Sequence, residues 1–328
     1  MKGRHGILAI EAGGTKCEMF LVDAETGARL AYAHGSREDM PEVVHIRGVG
    51  RSPEMMRFVF GKIREQAPEL PHHINIIENF RFHDSQKTLA LEDHELEVTP
   101  IGEFSVALAL GGVDCGIMVL SGTGAAVVLR DCDGRHHVID GVGPLLGDVG
   151  SAFYIGHQLM RHLTYELQVQ QREVPYWCEM MDIIKVPYDK NAEGDLIYHR
   201  LGLHELTEYT IRAVDRSAIA SVAVLCEKMA VDGDAAALRI MNQAAELLAE
   251  NVMSVAEKCK IPEEELSVIG VGGVLKKSRF VWPRLHEILS VKLPCARIVC
   301  PHFSQAEGLV IARLRALGRT EALERFTT

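Results

Sequence analysis

The chain has 328 residues, 47% of them hydrophobic and 24% charged, and a formal net charge of −10. That length supports about two ordinary domains with sizeable cores. The acidic balance argues against a general nucleic-acid or other polyanion-binding surface, yet leaves room for one local phosphate site built from backbone amides and a metal. No apolar run approaches the roughly 20 residues that span a bilayer, and Met1-Lys2-Gly3-Arg4-His5 leads straight into a strand-like segment without a signal-type hydrophobic region. The eight cysteines are scattered, with no C-x-x-C pair, which fits free thiols in a reducing cytoplasm better than a disulfide framework or a zinc site. The expectation is a cytoplasmic protein with no membrane segment.

The opening stretch reads as a three-stranded meander. Ile7 to Glu11 is strand-like, Ala12-Gly13-Gly14-Thr15 a tight turn, and Cys17 to Asp23 a second strand; Glu25-Thr26-Gly27 then turns into a third, Arg29 to Ala33. Ser52-Pro53-Glu54 starts a helix, with Ser as N-cap and Pro at the first helical position. Met56, Val59, Phe60 and Ile63 follow at helical spacing.

The meander returns roughly a hundred residues later. Gly116 to Leu120 is a strand, Ser121-Gly122-Thr123-Gly124 a turn, Ala125 to Arg130 a strand, and Asp131-Cys132-Asp133-Gly134 leads into Arg135 to Asp140. Both copies place a Gly-Thr turn at the first bend and an acidic residue with Gly at the second, the pattern of a duplicated unit opening each of two domains. Helices are expected over Ser151 to about Gln170, over Ala235 to Lys258 with Ile240, Ala244, Leu247, Leu248 and Val252 as the apolar stripe, and from near Ser304 onward. These stripes read as core packing.

A hairpin turn of Gly and Thr can aim several backbone N–H groups at one anion. Taken singly, Gly13-Gly14-Thr15 is as readily an ordinary hairpin. Two such turns, each opening a repeated meander, could grip a polyphosphate from both sides. The G-x-x-x-x-G-K-[ST] phosphate loop is absent, which excludes that route to ATP.

Ile10-Glu11-Ala12-Gly13-Gly14-Thr15-Lys16 resembles the first phosphate motif of the sugar-kinase, actin and heat-shock-chaperone superfamily, and Ser121-Gly122-Thr123-Gly124 resembles the second. Gly141-Val142-Gly143-Pro144-Leu145-Leu146-Gly147-Asp148-Val149-Gly150-Ser151 resembles the G-W-G-x-x-x-G-D-E-G-S block of the N-acetylglucosamine kinase branch of the BadF/BadG/BcrA/BcrD ATPase family. Val271-Gly272-Gly273-Val274 looks like its adenosine-side Gly-Gly turn. Gln305-Ala306-Glu307-Gly308 looks like the closing segment that precedes the last helix. The matches run in family order and cover most of the chain, most weakly from Gly35 to Pro100.

The resemblance implies an α/β protein of two actin-like, ribonuclease H-like domains with a nucleotide cleft between them. The expected division is 1–115 plus 303–328 and 116–302. It implies ATP and Mg2+ as cofactors, a sugar or amino sugar as acceptor, and a possible homodimer. Glu11, Gly13, Gly14, Thr15, Lys16, Ser121, Gly122, Thr123, Gly124, Gly272 and Gly273 would hold the nucleotide, with Glu11 on the metal side. Asp148 would bind sugar hydroxyls; its plainer role is as a cap for the helix that follows. Glu103 falls where the family has an Asp that accepts the hydroxyl proton, and otherwise reads as a helix-dipole Glu.

The departures are specific. Glu replaces Asp at positions 11 and 103, and an extra methylene moves a carboxylate by more than ~1 Å, an error that can cost about a hundredfold in rate. Val142 replaces a Trp, Val149 the second acid of the block, Ala126 an Asn, and Asn75-Ile76-Ile77-Glu78-Asn79 a G-L-A-G segment. Losing such contacts redirects specificity. Two other readings therefore stay open: an ATPase that acts on a partner protein, and a nucleotide- or sugar-binding regulator without turnover. Dedicated cluster cysteines, which the activator relatives use, are missing. The pairs His72-His73 and His136-His137 lack ligand-spaced companions, and Cys17 and Cys115 read as packing thiols.

Overall fold

The computed structural model describes residues 5–14, 16–40, 49–79, 85–170, 174–189, 201–212 and 214–328. It divides into two compact units, one formed by residues 1–114 with Pro301–Thr328 and one by Cys115–Cys300.

The first unit is built on five strands: β1 (His5–Ala12), β2 (Lys16–Asp23), β3 (Arg29–Ser36), β4 (His73–Glu78) and β5 (Glu95–Pro100). They lie in the order β3-β2-β1-β4-β5. The β1–β2 and β2–β3 pairs are antiparallel, while β4 joins β1 and β5 joins β4 in parallel. Every residue of β1 after His5 is buried, because the sheet is covered on both faces. Side chains alternate across a strand, so Leu8, Ile10 and Ala12 enter one core with helix α1 (Pro53–Gln66), while Ile7 and Ala9 enter another. The cap read from the sequence is present: Ser52 Oγ accepts from Met55 N–H, with Pro53 opening α1. A four-residue helix, α2 (Ser85–Thr88), and α3 (Glu103–Gly111) flank β5.

The second unit repeats the plan. Strands β6 (Gly116–Ser121), β7 (Ala125–Arg130), β8 (His136–Asp140), β9 (Ser267–Val271) and β10 (Arg297–Val299) lie in the order β10-β9-β6-β7-β8. Read from the other edge, this is the order of the first sheet, with the same antiparallel meander and the same two parallel additions. The duplicated meander seen in the sequence is thus a duplicated sheet. Helices α4 (Ala152–Gln168), α5 (Trp177–Ile184), α6 (Leu203–Arg212), α7 (Arg216–Val231), α8 (Ala235–Ala256), α9 (Gly273–Lys277) and α10 (Val281–Lys292) complete the unit. Their apolar faces form one core with Ile117, Val119, Val127 and Leu129.

The chain then returns to the first unit with α11 (Gln305–Ala316) and α12 (Thr320–Thr327). Leu309, Val310, Leu314 and Phe326 pack in the core that holds Ile7 and Ala9. Gln305 to Gly308 form the first turn of α11 rather than a segment before it, because Ser304 is the N-cap and closes a capping box with Glu307. The expectation of free thiols throughout also needs correction. Cys115 and Cys132 form a disulfide with Cα atoms 5.2 Å apart, because the register that pairs Gly116 with Arg130 brings the flanking residues together. Among the described residues no helix is long and apolar enough to cross a membrane.

Candidate active site

In the first unit the site residues gather where β1 turns into β2. Glu11 is 5% exposed. Its Oε2 is buried with no hydrogen-bond partner, and Lys16 Nζ stands 3.7 Å away, an ion partner rather than a donor. Burial pushes the Glu11 carboxyl above its ordinary range; Lys16 opposes the shift, and the charges of Glu18 and Glu103 add to it. Glu103, the half-buried first residue of α3 behind an N-cap at Gly102, therefore lies within electrostatic reach of Glu11. Gly13 N–H donates to Lys16 C=O and closes the hairpin. A Cβ on Gly14 would meet nothing within 4 Å, so the outer face of this turn is open. Thr15 lies outside the described residues.

Three further residues hold this turn in place; the sequence offered no signal for Gly50 and Arg51, and marked Asn79 only as the end of the segment that replaces G-L-A-G. Arg51 Nε donates to Ala12 C=O at 3.0 Å, and Asn79 Oδ1 accepts from Ala12 N–H at 3.1 Å. Gly50 presses on the turn so closely that a Cβ there would sit 2.1 Å from Lys16 O. Glu18, paired with Glu11 across the β1–β2 ladder, is buried and accepts from the Tyr32 hydroxyl at 3.1 Å.

In the second unit, Ser121, Gly122, Thr123, Gly124, Asp148, Gly272 and Gly273 come together. The first amides of α4 fix the second hairpin turn: Ala152 N–H donates to Gly122 C=O and Phe153 N–H to Thr123 C=O. Ser121 Oγ donates to Gly150 C=O at 2.7 Å. Gly272, at φ 103°, lies so close that a Cβ would stand 2.2 Å from Ser121 O, a position that only glycine fits. Gly122 and Gly273, like Gly14, have open space where a Cβ would be.

Asp148 is 4% exposed and has a positive φ of 55°. It does not cap α4. Ser151 does, its Oγ accepting from Tyr154 N–H. Asp148 Oδ2 instead accepts from Arg216 Nη2 at 2.8 Å, and a Cβ on Gly124 would lie 3.0 Å from that same oxygen. The backbone of the 141–150 loop is organised by Asp140, a residue the sequence reading passed over. Its carboxylate accepts from the N–H groups of Gly141, Asp148 and Val149.

The site can be tested against the groups it is expected to hold. Lys16 supplies a cation 3.7 Å from Glu11 Oε2, but this buried oxygen still lacks a hydrogen-bond donor, a lack that the bound water of a metal ion would fill. Open glycine faces on two hairpin turns and at the start of α9 fit the close approach of phosphate and nucleotide.

A duplicated β3-β2-β1-β4-β5 sheet with a glycine-rich hairpin at the first bend of each copy defines the actin-like class. The chain belongs to the BadF/BadG/BcrA/BcrD ATPase family, whose model matches residues 10–312. It is similar to an N-acetylmuramic acid/N-acetylglucosamine kinase of Clostridium acetobutylicum, 25% identical over 218 residues, covering 66% of each chain. It is likewise similar to an N-acetyl-D-glucosamine kinase of Dictyostelium discoideum, 25% identical over 214 residues, covering 64% of this chain and 63% of that one. The match thus spans just under two thirds of these relatives' own lengths. Among solved structures, the fold is similar to that of a candidate N-acetylglucosamine kinase from Chromobacterium violaceum, with a TM-score of 0.64 at 19% identity, covering 94% and 98% of the two chains.

Proposed function

We propose that the chain is an ATP-dependent kinase that phosphorylates a hydroxyl of a sugar or amino sugar. Family membership supports the use of ATP, and the relatives named for amino-sugar kinases support the acceptor class. The observation that carries the reading is the closeness of the Asp148 carboxylate to Gly124, where an added Cβ would stand 3.0 Å from Oδ2. Asp148 keeps Oδ1 free of any hydrogen bond among the described residues, and this oxygen suits a hydroxyl donor. A hydroxyl held there and a phosphate held by the Gly122–Gly124 turn would be neighbours, as transfer from one to the other requires.

In this reading Gly13, Gly14, Thr15, Lys16, Ser121, Gly122, Thr123, Gly124, Gly272 and Gly273 bind the nucleotide, and Glu11 faces its metal. Magnesium, when bound, neutralises charge on the phosphates. Asp148 orients the acceptor and Glu103 takes the proton from the attacking hydroxyl as the new O–P bond forms and ADP leaves. The test is ADP release from Mg-ATP across a panel of sugars and amino sugars with a no-acceptor control. Release that requires one acceptor establishes the kinase. Equal release without acceptor replaces it with an ATPase, and nucleotide binding without release replaces it with a regulator.

A further inference from the structure

Asp148 is a buried carboxylate on a backbone of positive φ, and its two oxygens have different surroundings. Both lie against Gly124, where a Cβ would stand 3.0 Å from Oδ2 and 3.3 Å from Oδ1, but Oδ2 accepts from Arg216 whereas Oδ1 accepts from no described residue. Arg216 is the first residue of α7, a 16-residue helix whose N-cap, Asp215, accepts from Ser217 N–H and Ala218 N–H. The arginine therefore projects from a fixed helix end, with its side chain 52% exposed. The Nη2 bond to Asp148 is the one side-chain hydrogen bond of Arg216 among the described residues.

From these contacts we infer that Arg216 is a positioning residue for the acceptor site. The inference rests on the kinase reading above and deepens it. Two constraints fix the Asp148 carboxylate. Asp140 holds its backbone N–H, and Arg216 holds one side-chain oxygen. A carboxylate tied at one oxygen turns the other in a set direction, and the guanidinium offsets the charge that burial would otherwise penalise. Without Arg216 the carboxylate is free to rotate about its terminal torsion, which is broad and two-fold. The unbonded oxygen beside the Gly124 turn then loses its set direction. An acceptor hydroxyl misplaced by about 1 Å costs on the order of a hundredfold in turnover.

An electrostatic role alone would be met by any cation. A positioning role requires the planar guanidinium, since Lys offers a rotating point charge. This difference separates the two.

The experiment compares wild type with Arg216→Ala, Arg216→Lys, Asp148→Asn and the Arg216→Ala/Asp148→Asn double variant, each checked for an unchanged circular dichroism spectrum and melting curve. Kinetics are measured with the best sugar from the panel, and binding of that sugar is measured separately by calorimetry. The expected result is a fall in kcat/KM for the sugar of about a hundredfold in Arg216→Ala, with a much smaller change in the KM for ATP. Arg216→Lys recovers only part of the loss. On the Asp148→Asn background, removal of Arg216 costs almost nothing further, because the two act as one unit.

Full rescue by Lys overturns the inference, as does additive loss in the double variant or an equal rise in both KM values. If wild type binds a sugar without transferring phosphate, the kinase reading fails, and sugar affinity across the same variants still decides the role of Arg216. If wild type binds no sugar at all, both fail.

Discussion

At the scale of single residues, the site is a balance between a charge that burial penalises and groups that compensate for it. Glu11 shows this most clearly. Its folded-state pKa is raised, so the folded chain holds the proton more tightly than the unfolded chain does. The destabilisation is absent below the ordinary Glu value of 4.5, grows as pH rises from there through the folded-state value, and is constant above it. Glu11→Gln should accordingly unfold at higher urea than wild type at pH 7 to 8, by about 0.5–2 kcal/mol, a common gain when a functional site is relieved. The difference should shrink toward zero as pH falls to 4.5, and Mg-ATP-dependent activity should be lost. A constant difference between pH 4 and 8 would show that the charge is not the cause. Gly14 and Gly272 provide a second contrast. Gly14→Ala has free space for its methyl group, so its stability should stay within about 0.5 kcal/mol of wild type. ATP affinity should fall by roughly an order of magnitude if the turn meets phosphate, the size of one lost hydrogen bond to a charged group. Gly272→Ala should instead lose stability by 1–3 kcal/mol or more from overpacking against Ser121, read by thermal melting before any ligand is added. A Gly14→Ala protein that melts like wild type and binds ATP normally would remove the first turn from the site. The turn glycines were legible because special backbone geometry leaves a local sequence mark, whereas Glu11 and Asp148 were singled out only through the family resemblance and their roles are proposals. Arg216, Gly50 and Arg51 were not legible, because their roles arise from contacts with residues distant in the chain; Asp140 acts on the amides of its own loop, and no motif flags it.

At the scale of elements, the meanders and helices α1, α4, α8 and α11 were readable for the same local reason. Each carries its own turn chemistry or a periodicity of its own, and the boundaries found agree to within a few residues. Strands β4, β5, β9 and β10 were missed, as were helices α2, α5, α6, α7, α9, α10 and α12. In β5 the alternation Glu95-Leu96-Glu97-Val98 is only two apolar residues long before Thr99-Pro100, and at a sheet edge even Val98 is exposed, so the signal is weak. In β9 every residue is buried, and a short continuous apolar run cannot be told from a helical fragment by periodicity. The start of α11, by contrast, was visible in Ser304, and its energetics can be tested. Ser304→Ala removes the Oγ that accepts from Glu307 N–H and should cost about 1 kcal/mol. Glu307→Gln tests the other half. Its carboxylate accepts from Ser304 N–H at 2.7 Å and from Arg29 Nη2 at 2.8 Å. A glutamine keeps one acceptor oxygen but not the charge, so the loss should fall at or below that of Ser304→Ala at 0.15 M salt, because Arg29 is half exposed and its ion pair is screened. Urea midpoints in the order opposite to this would mean that the Arg29 pair, and not the cap, anchors the helix.

At the scale of the whole molecule, the duplication has an asymmetry. The second unit is one continuous stretch of chain, whereas the first is assembled from both of its ends. Half of the core on one face of the first sheet comes from the closing segment: Ala306, Leu309, Val310, Ile311, Leu314, Ala322 and Phe326. The sheet contributes Ile7, Ala9, Phe20, Val22 and Ile77 to that core. Arg29 adds a tie, with its guanidinium 4.6 Å from the Phe326 ring centroid and its Nη2 donating to Glu307. Fully burying a large apolar side chain is worth about 1.5–3 kcal/mol. Leu309, Val310, Ile311, Leu314 and Phe326 together thus contribute roughly 8–15 kcal/mol, as much as the entire net stability of an ordinary domain. A chain ending at Cys300 should be unable to hold the first sheet while keeping the second. Hydrogen exchange read by mass spectrometry should show β1 to β5 peptides exchanging at the rate of unfolded chain and β6 to β10 peptides still protected. Phe326→Ala in the full chain is the graded version, with an expected loss of about 3–5 kcal/mol confined to the first-unit peptides. Equal loss of protection in both units would show that they unfold as one cooperative body. Intact protection of β1 in the truncated chain would show that the first sheet is stabilised without its closing helices.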